Sequence, residues 1–236
     1  MYSEFASRTD RELIERVWDI EDIRDTMSRR VYMAAAGLRR QELDELWVSH
    51  PDNAATASFG RNWGYYIGMD SIRRYYAGPG APASREKGYM SQHPVTTGLV
   101  ELAGDGMTAR GLWYCLMGQE ARVGASGVSA RWHNEKIAAD LIREDGKWKI
   151  WHLVIATDHT AVPGEDQNRR ACFDGSDLEP VRLEFGEPDI PLLTHDRDFN
   201  WWDDYPPPPK PYVSFRPMEG YGPEGHPALR RKEALI

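Results

Sequence analysis

The stretch ARWHNEKIAADLIREDGKWKIWHLVIAT, residues 130–157, contains two apolar runs separated by a short polar turn. The pattern predicts one strand over Ala130–Arg143 and a second over Lys147–Thr157. The triplet Glu144–Gly146 between them is typical of a tight turn, because glycine readily adopts the left-handed backbone angles that such turns need. We therefore predict an antiparallel hairpin here.

More strands are predicted on the N-terminal side of this hairpin. Two apolar runs, Val95–Leu102 and Met107–Met117, have the length and composition of strands. Between Ala54 and Ile67, two short strands flank a turn at Arg61–Gly64. The middle of the chain is therefore predicted to supply most of a sheet.

Helices are predicted ahead of the long strands. Over Asp10–Ala36 apolar residues recur every three or four positions, and Thr9 with Glu12 forms a capping box. Shorter helices are expected over Arg40–Val48 and Met69–Tyr76. Helices followed by a run of antiparallel strands are typical of an α+β fold, in which the helices cover one face of a curved sheet.

Composition excludes several classes of function. The 236 residues are 41% hydrophobic and 28% charged, which is typical of a folded globular protein. The formal net charge of -8 argues against a nucleic-acid partner, because phosphate binding needs clustered Lys and Arg. The sequence has no apolar run of about 18 residues and no signal-peptide pattern, so we expect a cytoplasmic protein with no membrane partner.

Cofactor and metal motifs are also missing from the sequence. It contains no glycine-rich phosphate loop, dinucleotide fingerprint, serine-hydrolase elbow or His-Glu-x-x-His motif. Cys115 and Cys172 have no zinc-like spacing, and neither is expected to have a role. We therefore expect no cofactor and no metal. Nine Trp and eleven Tyr are present, and such side chains can line a cavity for flat ligands.

The composition changes beyond about Val162. Pro, Gly, Asp and Glu dominate there, and Pro206–Pro209 favours extended polyproline geometry. The segment is nevertheless rich in large aromatic residues: Phe199, Trp201, Trp202, Tyr205, Tyr212, Phe215 and Tyr221. We predict a domain over residues 1–161 and an extension over residues 162–236 that wraps this domain or a partner subunit.

Four motifs in order resemble the SnoaL-like proteins of the nuclear transport factor 2-like superfamily. They are WDIEDIRDTMSRRVYMAAAGLRRQELDELW, GMDSIRRYYAG, HPVTTGLVELAGDGMTARGLWYCLM and REDGKWKIWHLVI, and together they cover about Glu12–Thr160. The resemblance implies a cone-shaped α+β barrel with a deep cavity between sheet and helices. Such relatives include scytalone dehydratase, ketosteroid isomerases, polyketide cyclases, a dehydrochlorinase and a diarylpropane γ-formaldehyde lyase, and most of them need no cofactor.

The resemblance assigns catalytic roles to Asp25 and His93. In the dehydratase and dehydrochlorinase relatives, the matching Asp orients a His in the cavity. A carboxylate of this kind fixes the imidazole tautomer and raises its basicity, so that the other ring nitrogen takes up a proton. The alternatives are a surface ion pair for Asp25 and a turn role for His93. Ile20 and Leu153 stand where the dehydrochlorinase has Lys and Arg, which argues against dehydrochlorination.

The strand around RWHNEK carries a second candidate pair. His133 and Glu135 alternate with Trp132 and Asn134, so one pair faces the cavity and the other faces away. If His133 faces inward, it resembles the second cavity His of the dehydratase and acts as acid while His93 acts as base. The sequence leaves this parity open, and Trp132 and Glu135 both remain candidates for substrate binding.

Other predicted substrate-binding residues lie in and after the first hairpin. Arg61 and a Tyr hydroxyl can stabilise a phenolate or enolate, while Trp63 supplies an aromatic surface. Tyr65 and Tyr66 are both candidates, although neighbouring strand residues face opposite ways and at most one lies inside. Trp113 is either a core residue or a further ligand contact.

Taken together, the residues favour cofactor-independent proton chemistry on an apolar aromatic substrate. The most specific expectation is γ-formaldehyde elimination from a lignin-derived diarylpropane diol, which yields a stilbene. One alternative is a dehydratase, isomerase or cyclase of a steroid-like or polyketide substrate, and another is a non-catalytic ligand-binding dimer. Proteins of this fold commonly pair sheet to sheet, so a homo-oligomer is expected, either a dimer or a trimer.

Overall fold

Four helices lie in the first third of the chain. The computed structural model describes residues 8–78, 88–124, 127–161, 186–192 and 205–229. The helices are α1 (Asp10–Ala35), α2 (Arg39–Leu46), α3 (Pro51–Thr56) and α4 (Gly68–Ala77). The predicted capping box opens α1, with Glu12 and Thr9 each accepting a backbone N–H of the other. Pro51 begins α3, a helix that the sequence analysis missed.

The described residues form eight strands of one sheet, numbered here in chain order. They are β1 (Ser58–Arg61), β2 (Gly64–Ile67), β3 (Tyr89–Gln92), β4 (Thr96–Leu102), β5 (Thr108–Gly124), β6 (Gly127–Glu144), β7 (Lys147–Ala161) and β8 (Ile190–Pro191). The hairpin predicted around Glu144–Gly146 is confirmed, but β5, β6 and β7 extend further than their apolar runs. The short strand β3 was not predicted.

The strand order is β3-β5-β6-β7-β1-β2-β8, and β4 also pairs with β5. All pairings are antiparallel except the one between β1 and β7. The predicted α+β class is therefore confirmed. Among the described residues, no helix combines the length and apolar character needed to cross a membrane.

The helices cover one face of the sheet, which we call the helix-side face. Its core joins Ile23 and Met27 of α1 and Ile72 of α4 to Ile137 of β6 and Ile155 of β7. These side chains are almost fully shielded from water. Burial of each contributes roughly 1.5–3 kcal/mol to the free energy of unfolding.

The opposite, outer face packs against residues 205–229, which we call the C-terminal strap. The backbone N–H of Tyr221 donates to Asp140 Oδ2 at 2.6 Å, and the Tyr65 and Tyr205 hydroxyls lie 3.1 Å apart. The Arg110 guanidinium lies 4.0 Å from the centre of the Tyr212 ring. Burial raises the pKa of Asp140 to about 7, although the Tyr221 N–H and the Arg110 charge both lower it.

The C-terminal strap is only part of the predicted extension. The aromatic residues Phe199, Trp201 and Trp202 of the predicted extension lie outside the described residues, as does Cys172. The described residues of the strap contact the same chain through Tyr205, Tyr212 and Tyr221. The boundary at residue 161 and contact of the extension with a partner subunit stay predictions.

Candidate active site

A bulge in β5 shapes the helix-side face where the candidate residues meet. Cys115 pairs with Glu135 and Gly118 pairs with His133, so β5 uses one residue more than β6 over this interval. Met117 inside the bulge has a φ of 56°, an uncommon conformation for a bulky residue. Because the extra residue reverses the alternation of side chains, residues on both sides of the bulge, Cys115 and Glu120, reach the same cluster.

His93 and Glu135 form the centre of this cluster. His93 Nδ1 lies 2.8 Å from Glu135 Oε2, and the Glu135 side chain is 1% exposed. The other carboxylate oxygen, Oε1, accepts the Thr157 hydroxyl at 2.9 Å and lies 3.6 Å from Arg61 Nη1. A buried carboxylate needs such partners, because removing its charge from water without them is costly.

A second carboxylate, Glu120, lies on the other side of His93. Its Oε1 is 3.5 Å from His93 Nε2, and its Oε2 is 3.7 Å from His133 Nε2. The two imidazole rings stack with centres 5.8 Å apart and planes 20° apart. His133 Nδ1 forms a hydrogen bond with the Thr160 hydroxyl at 3.0 Å. The cluster therefore alternates carboxylates and imidazoles.

The two carboxylates keep His93 protonated near neutral pH. Burial by itself lowers the pKa of His93, but the charge of Glu135 and the contacts of the ring with Cys115, Glu120 and Glu135 outweigh it and raise the pKa well above its ordinary value. Burial raises the pKa of Glu135, but the charge of the protonated His93 lowers it by more, so the pKa of Glu135 falls below its ordinary value. The Glu120 carboxyl behaves in the same way: burial raises its pKa, but the nearby His133 and His93 imidazoles lower it below the usual range.

Aromatic side chains lie next to the charged cluster. The Arg61 guanidinium lies over the Trp63 ring, 4.9 Å from its centre. Trp63 Nε1 donates to the Tyr66 hydroxyl at 3.3 Å, and the Tyr66 ring packs 4.3 Å from that of Tyr75. Arg61 thus joins Glu135 to a wall of aromatic residues.

The structure does not form the pair predicted between Asp25 and His93. Asp25 makes an ion pair with Arg29 at 2.6 Å, and its side chain is 57% exposed. Ile23 and Met27 define the buried stripe of α1, and Asp25 lies about 200° around the helix from each of them, since each residue advances about 100°. The expected surface ion pair is therefore the outcome for Asp25, and Glu135 takes its place beside His93.

The parity left open by the sequence is now decided. His133 and Glu135 both face the helix side, where His93 contacts Glu135 and stacks on His133. Because side chains alternate along a strand, Trp132, the neighbour of His133 in β6, points away from the cluster, and its contact with a substrate stays a prediction. Trp113 is buried in the helix-side core, two residues from Cys115, and its contact with a ligand stays a prediction.

Only one of the two candidate tyrosines faces the cluster. Tyr66 belongs to the helix-side core, whereas Tyr65 packs on the outer face with Tyr205 and Tyr221. The two tyrosines thus face opposite ways, as the strand period predicts, and Tyr65 lies away from the cluster. Substrate binding by Tyr66 stays a prediction. The period of a strand predicts that Tyr65 and Tyr66 face opposite ways, but it does not predict which of them faces the helix side.

Sequence reasoning missed Glu120 and gave Cys115 no role. The apolar run of β5 ends at Met117, so Glu120 fell outside the predicted strand. The Gly118 position leaves room for the cluster, because a methyl group there would lie 2.8 Å from Cys115 Sγ and 3.1 Å from His93 Nδ1.

The same atoms resemble part of a metal site. A ring nitrogen of His93, the Cys115 sulfur and a Glu135 oxygen lie within 4.8 Å of one another. However, His93 and Glu135 are hydrogen-bonded to each other at 2.8 Å, so the atoms that would bind an ion are already paired. We interpret the group as an ion pair flanked by a thiol.

Comparisons with known proteins agree on the fold. A sequence profile described as the SnoaL-like domain matches residues 15–154. The crystal structure of LinA superposes with a TM-score of 0.50 at 13% identity, over 66% of this chain and 97% of LinA. The hexachlorocyclohexane dehydrochlorinase LinA type 3 from Novosphingobium barchaimii gives 0.47 at 12% identity, over 66% of this chain and 97% of that one.

A third solved structure is an NTF2-like protein with a cystatin-like fold from Novosphingobium aromaticivorans. It gives a TM-score of 0.45 at 17% identity, over 76% of this chain and 100% of that one. A comparison with curated protein sequences gives no significant match. The likeness to LinA, at 13% identity, is one of fold alone, and the chemistry has to be argued from the residues of this chain.

Proposed function

The chain belongs to the SnoaL-like domain family, and on that premise we propose that it is a lyase acting on a small aromatic substrate without a cofactor. The observation that carries the proposal is the 2.8 Å hydrogen bond between His93 and the buried Glu135. This pair presents a protonated imidazole beside a second imidazole, His133. An acid and a base held side by side are what an elimination reaction needs.

We assign the acid role to His93 and the base role to His133. The sequence favoured the reverse assignment, with His93 as base. Two flanking carboxylates raise the pKa of His93 and keep its proton in place, although burial by itself lowers that pKa. His133 is linked to the neutral Thr160 hydroxyl through Nδ1 and to Glu120 at the longer distance of 3.7 Å. It is the imidazole with the weaker carboxylate contact, and so the one better suited to accept a proton.

Arg61 and Tyr66 are proposed to stabilise the negative charge of a phenolate. Arg61 lies 3.6 Å from Glu135, so it can reach a ligand bound beside the His93 pair. The Tyr66 hydroxyl accepts from Trp63 and donates its single hydrogen to the carbonyl oxygen of Gly186 at 3.1 Å, so it has to turn from that carbonyl to donate to a phenolate. The Arg61 guanidinium is the fixed donor, and such donors stabilise charge that develops on an oxygen during the reaction.

The most specific substrate we propose is a phenolic 1,2-diarylpropane-1,3-diol. His93 gives its proton to the benzylic hydroxyl, which leaves as water while the para-phenolate becomes a quinone methide. His133 then takes the proton of the terminal hydroxyl. The carbon–carbon bond to that carbinol breaks, formaldehyde leaves, and the released electron pair forms the stilbene double bond and restores the phenolate. The sum is one stilbene, one formaldehyde and one water.

The direct test is turnover of this diol by the purified protein. After dialysis against EDTA, we expect stilbene absorbance and formaldehyde to appear in equal amounts, because no step needs a metal. The matched control is the same diol with its phenol O-methylated, which cannot form the quinone methide and should give no product. Without product between about pH 6 and 9, where histidines titrate, the assignment fails and dehydratase or isomerase substrates come next.

Asp25 provides a test of the structural assignment against the sequence-based one. Asp25→Asn should keep kcat/KM within about twofold of the wild type, because an exposed ion pair contributes little. His93→Gln should lower kcat/KM by about a hundredfold or more, the usual size of general acid catalysis. Parallel steady-state assays of the two variants decide between the views. Equal losses would restore Asp25 to the catalytic pair and remove Glu135 from it.

A further inference from the structure

Glu120 connects the two imidazoles through their outer nitrogens. Nδ1 of His93 is taken by Glu135, and Nδ1 of His133 is taken by Thr160. The Nε2 atoms of both rings point to the same carboxylate, at 3.5 Å and 3.7 Å from its two oxygens. Each imidazole ring therefore faces a different oxygen of the Glu120 carboxylate.

We propose that Glu120 returns the proton from His133 to His93 between turnovers. This inference rests on the proposed function, which leaves His93 without its proton and His133 with an extra one after each cycle. The reaction neither consumes nor releases protons overall, so the acid and the base need only exchange one proton. A carboxylate between them can accept it from His133 Nε2 and deliver it to His93 Nε2.

The position of Glu120 suits a group that moves. Its side chain is 40% exposed, whereas those of His93, His133 and Glu135 are 21%, 12% and 1% exposed. The distances of 3.5 Å and 3.7 Å are slightly beyond hydrogen-bond reach, so a small rotation of the carboxylate brings either imidazole into contact. Contact with water also gives the relay access to protons from buffer.

The backbone supports the same conclusion. Glu120 reaches the imidazoles only because the bulge between Cys115 and Gly118 reverses the alternation of β5. Met117 adopts its uncommon positive φ in that bulge. Strained backbone of this kind persists where the surrounding structure holds it in place, and it often occurs at functional sites.

The kinetic test is Glu120→Gln, which keeps the shape of the side chain and removes its ability to take up a proton. In a rapid-mixing experiment with the diol, the first turnover should stay within about threefold of the wild-type rate, because His93 keeps its proton through Glu135. Later turnovers should slow by about tenfold or more, which gives a burst. Added imidazole buffer should restore them. Glu21→Gln, which alters an exposed carboxylate paired with Arg24, is the matched control and should show neither effect.

A second measurement needs no substrate. We expect NMR of the ring N–H groups to show that the Nε2 proton of His93 exchanges with water about tenfold more slowly in Glu120→Gln than in the wild type. Unchanged exchange overturns the relay, and so does an equal loss of first and later turnovers, which indicates a positioning role. If exchange slows but the wild type does not turn over the diol, the relay stands and the substrate assignment is wrong.

Discussion

Replacing Glu135 by Gln should lower kcat/KM for the diol by about a hundredfold or more, the range expected when a general acid loses its partner. Gln keeps the size of the side chain but removes the charge that holds the proton on His93. Burial, which lowers the pKa of His93, is then opposed only by Glu120 and Cys115. The imidazole therefore loses its proton at a lower pH than in the wild type.

The pH dependence of kcat/KM should change in a definite direction when Glu135 is replaced. Activity that depends on protonated His93 is present below the pKa of His93 and is lost as the pH rises through that pKa. Because the wild-type pKa is raised, the alkaline loss of kcat/KM should fall above neutral pH. In Glu135→Gln the same loss should move to lower pH.

Thr157→Val is the matched control for this profile. It removes the hydrogen bond to Glu135 Oε1 but leaves the carboxylate in place, so it should cost activity without moving the alkaline limb. The measurement is kcat/KM from about pH 5 to 10 for the three proteins. In this range Glu135→Gln should lose activity towards the alkaline end, whereas the wild type and Thr157→Val should not. An identical alkaline limb in the wild type and Glu135→Gln would mean that His93 is not the acid.

Truncation after Ala161 should have the largest effect on stability. It removes the C-terminal strap and exposes Tyr65, Leu112 and Val154, which are almost fully buried beneath it. Each loses roughly 1.5–3 kcal/mol of burial, so the total is comparable with the whole stability of a typical domain, about 5–15 kcal/mol. Asp140 also loses the Tyr221 N–H that it accepts at 2.6 Å.

Thermal unfolding of the truncated chain tests this expectation. We expect either no folded protein or a Tm lower by about 10 °C or more. Tyr221→Ala in the full chain should reproduce part of the loss, about 3 kcal/mol, because a large buried side chain is deleted. Val213→Ala, at an exposed position of the strap, is the control and should change little. An unchanged Tm and oligomeric state after truncation would show that the strap is dispensable.

Much of the fold was predictable because its signals are local. The capping box at Thr9 and the turn at Asp145 each depend on a few neighbouring residues, and both appear in the structure as expected. The motifs that resemble SnoaL-like proteins gave the order of helices and strands. Helix α3 and strand β3 were missed because six and four residues are too few to show a period.

The candidate site was predictable only in part. His93, His133, Glu135 and Arg61 were named from their residue types and from the resemblance, and the structure brings them together. The partner of His93 was wrong, because the role of Asp25 was taken from the resemblance, although the period of α1 places Asp25 nearly opposite Ile23 and Met27. Glu120 was missed because its contacts are with residues 27 positions before and 13 positions after it in the chain.

The sequence by itself determined most of the helices and strands, the order in which they follow one another and the chemical groups available for catalysis, since periods and motifs are properties of neighbouring residues. Only the tertiary structure decided which carboxylates meet His93. The period of a strand is two, so one extra residue in the β5 bulge moves every later side chain to the other face. That shift brings Glu120 to the imidazoles. It depends on how β5 pairs with β6, and no local pattern in β5 records it.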